Sequence, residues 1–104
     1  MKVIICFASK GKSRDDIEFL RTSTSRKALR ALKSENTEID ILDPFLLPSA
    51  PIEGQKDTLE FISDLVHMLL ETDVVYLAKN WSTDRYCKVV FNVCKQYGIK
   101  YVSE

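Results

Sequence analysis

Short, nearly uninterrupted apolar runs that alternate with stretches of helical periodicity leave this chain few folds to adopt. "KVIICFA" (residues 2–8) and "DVVYLA" (residues 73–78) are β-branched and almost wholly apolar, as strands covered on both faces are. "TEIDIL" (residues 37–42) alternates apolar with polar and suits an edge strand, and "IKYV" (residues 99–102) is a last, short strand. Between them lie three helical patterns. From about Asp15 to Ser34, the residues Ile17, Leu20, Thr24, Ala28 and Ala31 or Leu32 fall on one face; the "TSTS" at 22–25 is a weak helix former that invites a break. From about Asp57 to Glu71 the apolar face is Leu59, Ile62, Leu65, Val66 and Leu69. From about Asp84 to Tyr97 it is Cys87, Val90, Phe91 and Cys94, with Gly98 placed as the C-terminal stop. The resulting βαβαβαβ order implies an α/β fold. It is expected to be a flavodoxin-like doubly wound sheet of four parallel strands in the order 2-1-3-4, with helices on both faces.

At 104 residues the chain suffices for one domain, residues 1–104, with a single core. Fifteen basic and fifteen acidic side chains cancel, so no global field draws the protein to a nucleic-acid polymer or an anionic membrane. No apolar run approaches the roughly 18 residues that would span a bilayer. Cys6, Cys87 and Cys94 form no paired metal spacing and read as reduced core residues of a cytoplasmic protein. The single histidine, His67, shares a polar helix face with Glu60, Asp64 and Glu71. Neither a metal site nor a cofactor is expected.

In a 2-1-3-4 sheet the switch point lies between strands 1 and 3, and ligands bind beyond the carboxyl ends there. Those ends are "ASKGKS" and "AKNWSTDR". The first offers Ser9, Lys10, Gly11 and Ser13: hydroxyls, a cation and a glycine ahead of a helix, which suit a phosphate or sugar. The second offers Asn80, Trp81, Ser82 and Arg85, where an indole stacks a base and a guanidinium forks onto an anion. Ser82 or Thr83 equally suits a helix N-cap, and Asp84 suits the first turn of a helix. Asp43, at the end of strand 2, is expected to complete the lining.

"ETDVVYLAKNWSTDR" (residues 71–85) resembles the corresponding segment of small bacterial and phage relatives of the nucleoside 2-deoxyribosyltransferases, and "YGIKYVSE" resembles the last strand of that family. Weaker similarity covers the first strand and Asp43-Pro44. The resemblance implies the same doubly wound fold and a nucleoside or nucleotide site at the switch point. In the family's enzymes a glutamate early in the helix after strand 3 attacks the anomeric carbon; aligned on Trp81 and Arg85, its place here is held by Val90, which is no nucleophile. The glycine-rich turn after strand 1 is "FASKG" here, and Asp64 stands one residue out of register with the family's ribose-binding aspartate.

The expected function is therefore binding of a small nucleoside or nucleotide, with deoxyribosyl transfer lost. One alternative is an N-glycosidase or transferase using Asp84 as a relocated carboxylate. Another is an interaction module, or a homo-oligomer contact, built on Phe45, Leu46 and Leu47 in the proline-bounded loop "DPFLLPSAP".

Overall fold

The computed structural model describes residues 1–33, 38–52 and 55–104. Four parallel strands, β1 (Lys2–Cys6), β2 (Asp40–Leu42), β3 (Val74–Leu77) and β4 (Lys100–Ser103), form one sheet in the order β2-β1-β3-β4. The helices α1 (Arg14–Leu32), α2 (Leu59–Met68) and α3 (Arg85–Tyr97) connect them in turn. The architecture is the expected α/β, flavodoxin-like one. Thr37, at which the sequence pattern opened the second strand, and Ser34, at which it closed the first helix, lie outside the described residues.

Register shows why the central strands are so apolar. Val3 pairs with Val74, Ile4 with Val75, Ile5 with Tyr76 and Cys6 with Leu77, and all eight side chains are buried. Successive strand residues point to opposite faces, so two cores result. Ile4, Cys6, Val75 and Leu77 pack under α2 and α3 with Phe61, Leu65, Tyr86, Cys87, Val90 and Cys94. Val3, Ile5, Phe7, Val74, Tyr76 and Ala78 pack under α1, where Thr24 and Ala28 are buried. β4 is the thinner edge, with an exposed or half-exposed side chain at each position.

Local chemistry sets the helix limits. Ser13 caps α1 by accepting the N–H of Asp16 at 3.2 Å, and Thr58 caps α2 through the N–H of Phe61. The "TSTS" stretch does not break α1; Ser23 and Ser25 return their hydroxyls to the carbonyls of Leu20 and Arg21 within the helix, and Thr24 is buried. Gly98 ends α3 in the left-handed region at φ 69°.

One side-chain expectation is corrected, and one open alternative is decided. Leu59 does not face the core: it opens α2 and is 87% exposed, while Phe61 takes the buried position. Ala31 is exposed, and Leu32 is the half-buried member of that pair. The loop after β2 also differs from its sequence reading. Asp43 accepts the N–H of Phe45 at 2.9 Å, folding 44–46 into a 3-10 turn that sends Phe45 inward. Its ring stacks on Phe7 at 4.9 Å and meets Phe61 and Tyr86 at 5.7 and 5.8 Å. Leu47 also packs against the core, so within this trio only Leu46 is fully exposed.

Candidate functional site

Two cavities open beyond the carboxyl ends of β1 and β3, on either side of the β1–α1 loop. The cavity on the α2/α3 side holds about 210 Å³. Ser9 and Lys10 line it from the loop; Pro51 and residues 55–57 line it from the segment ahead of α2; Thr83, Asp84, Arg85 and Lys88 line it from the start of α3. The crevice on the α1 side holds about 240 Å³ over an apolar floor of Phe7, Ala8, Leu20 and Ala78.

Asp84 builds the first cavity. It is only 3% exposed and is the N-cap of α3, with Oδ1 accepting the N–H of Tyr86 at 3.4 Å. Its Oδ2 reaches across to the β1–α1 loop and accepts the N–H groups of Ser9 (2.8 Å) and Lys10 (3.1 Å) and the Ser9 hydroxyl (3.3 Å). One buried carboxylate thus holds the loop against the positive end of α3, in the environment a helix N-terminus favours for an anion. Next to it, the Tyr86 hydroxyl donates to the carbonyl of Phe7 at 2.6 Å and accepts its N–H at 3.0 Å, tying down the backbone where β1 ends. Gly11 then turns the loop at φ 74°, in a bend closed by the N–H of Lys12 on the carbonyl of Ser9.

Arg85 forms a second brace. Its Nε and Nη2 engage both carboxylate oxygens of Asp57 at 3.2 and 2.9 Å, and Nη2 also donates to the Asp57 carbonyl at 2.9 Å. The pair links the segment ahead of α2 to the start of α3, and the Asp57 carboxylate holds the guanidinium above its ordinary pKa. All four oxygens of Asp57 and Asp84 accept hydrogen bonds already. Asp84 in particular is buried, with both carboxylate oxygens bound by backbone N–H groups.

Of the site residues expected from sequence, the structure brings Ser9, Lys10 and Arg85 together around this cavity, with Asp84 beneath them. The others are elsewhere. Trp81 turns to the far side of α3: its ring lies 4.7 Å from Phe91, and its Nε1 donates to the Ser103 hydroxyl of β4 at 3.1 Å. It lines neither cavity. The cause is Asn80, whose left-handed backbone at φ 69° opens the 3-10 turn Trp81–Thr83 and rotates the indole away. Ser82 is exposed on that turn, and the Thr83 hydroxyl returns to the Asn80 carbonyl at 2.7 Å, so Asp84 caps the helix in place of either. Asn80 lines the α1-side crevice. The hydroxyl of Ser13 is engaged at its helix cap, and Gly11 is exposed at the turn. Asp43 pairs with Arg21 at 2.6 Å and lines neither cavity.

The sequence reading missed Asp57, Lys56 and Lys88. Lys88 was within reach, since it stands one helical turn beyond Asp84 and projects from the same end of α3. The loop residues before α2 carry no periodicity to betray them.

Val90 is fully buried in apolar surroundings between Cys87 and Cys94. The cysteines are free and buried. The Cys6 thiol is pushed well up by its hydrogen-bonded neighbour Cys87 and by burial, and burial raises Cys94. Among the described residues no helix is long and apolar enough to cross a membrane. His67 is exposed.

Comparison with known proteins finds no matching family, no matching curated protein and no matching solved structure.

Proposed function

We propose that the chain binds a nucleoside- or nucleotide-like ligand in the cavity between the β1–α1 loop and the start of α3, and that it does not transfer deoxyribose. One observation carries this reading: buried Asp84 clamps Ser9 and Lys10 onto the N-terminal end of α3, building a polar concavity at the switch point, where doubly wound sheets bind their ligands. The resemblance of residues 71–85 to the nucleoside 2-deoxyribosyltransferase relatives supports the ligand class. Val90 in the place of the family's glutamate, and the committed oxygens of Asp57 and Asp84, argue for binding without covalent glycosyl chemistry.

Calorimetry against nucleosides, nucleotides and ADP-ribose-type molecules tests it. Saturable binding by at least one of them is expected, with no free base released. Absence of binding by all of them at millimolar concentration removes the reading.

A further inference from the structure

We infer that this cavity reads the phosphates of its ligand and is indifferent to the base. The inference rests on the nucleoside or nucleotide reading for the ligand's class, and on the cavity's own charge for its content. Among the described residues that line it are four basic ones, Lys10, Lys56, Arg85 and Lys88, and two acidic ones, Asp57 and Asp84, in a chain whose total charge is zero. The two carboxylates are committed. Asp57 neutralises Arg85, and Asp84 is held by backbone N–H groups. Lys10, Lys56 and Lys88 form no ion pair with any described residue. They come from three separate elements: the β1–α1 loop, the segment ahead of α2, and the second turn of α3. A solvated helix face places like charges along one element; here the three residues line one concavity from three elements. Their mutual repulsion is relieved by an anion between them.

The lining also shows what the cavity does not offer. Among the described residues that line it there is no aromatic side chain, and Pro51 is the one apolar residue. A base therefore has no ring to stack on, and about 210 Å³ is filled by a phosphorylated sugar or a diphosphate. Affinity is set by the number of phosphates, through charge-assisted contacts to the lysines.

The experiment is isothermal titration at low salt with pyrophosphate, adenosine, AMP, ADP and CDP, on the wild-type chain and on Lys10→Gln, Lys56→Gln, Lys88→Gln and the remote control Lys100→Gln. ADP and CDP are expected to bind within about threefold of each other, AMP more weakly and adenosine not detectably. Each cavity lysine variant is expected to lose about tenfold for ADP, the order of one charge-assisted contact, with Lys100→Gln unchanged. Affinity should fall as salt is raised. Adenosine binding as tightly as ADP, or ADP and CDP differing more than tenfold, overturns the inference and leaves the nucleoside reading standing. Pyrophosphate binding with every nucleotide silent supports the phosphate site and removes the nucleoside reading instead.

Discussion

The Oδ2 atom of Asp84 accepts the backbone N–H of Ser9 at 2.8 Å, so the turn after the first strand and the start of the third helix are fixed by one buried carboxylate. Asp84 supplies shape: it satisfies N–H groups that the β1–α1 turn leaves without sheet partners, and it caps α3.

Asp84→Ala is expected to destabilise the protein by about 2–4 kcal/mol, because the N–H groups of Ser9 and Lys10 and the cap are all lost. Asp84→Asn keeps an acceptor oxygen and costs less. Urea denaturation of both measures this; a loss below about 0.5 kcal/mol for the alanine variant, within the range of ordinary surface changes, contradicts the clamp.

Trp81→Ala should lower stability by about 2 kcal/mol, through lost packing on Phe91 and the lost bond to Ser103. It should change ligand affinity by less than about twofold, under 0.5 kcal/mol. Thermal melts and a ligand titration on the same variant separate the two roles, and a large affinity loss with stability intact would return the indole to the binding site.

Val90→Glu places a carboxylate among Cys87, Cys94 and the sheet, where nothing described offers it a charge partner. The expected cost is several kcal/mol, about 3 or more, with no transferase activity gained. A stable variant that exchanges bases between deoxynucleosides would show that an enzymatic pocket survives around this position.

The loop after β2 gives a paired test. Phe45→Asp removes a ring from contact with Phe7, Phe61 and Tyr86 and should cost about 3–5 kcal/mol. Leu46→Asp, at a side chain 71% exposed, should stay within about 0.5 kcal/mol of wild type. Circular dichroism on both reads the difference. Equal effects would mean that the 3-10 turn does not seat Phe45 as described.

How far the sequence could be read follows from these same residues. Strand order and helix placement were legible because burial on both faces writes an unmistakable apolar run, as in residues 3–7, and because α3 repeats its apolar positions at Cys87, Val90 and Cys94. Ser9, Lys10 and Arg85 were legible as neighbours because topology alone brings the ends of β1 and β3 side by side. Trp81 was misread because a single left-handed residue, Asn80, decides which way the following turn rotates, and hydropathy carries no trace of that rotation. Tyr86 was passed over for a similar reason. As the second residue of α3 it falls beside the Cys87–Val90–Cys94 stripe, yet the backbone of Phe7 gives its hydroxyl a buried partner. Asp57 looked like a helix start and is instead the carboxylate that binds Arg85.

The central claim, that the concavity between Ser9–Lys10 and the start of α3 is a nucleotide site, is tested most directly by following backbone amide resonances during a titration with ADP. The account predicts saturable shifts centred on Ser9, Lys10, Asp57, Asp84, Arg85 and Lys88, with Trp81, Phe91 and Ser103 little affected. No shift at millimolar ADP, or shifts centred on Lys12, Ser23 and Asn80 across the loop, would contradict it.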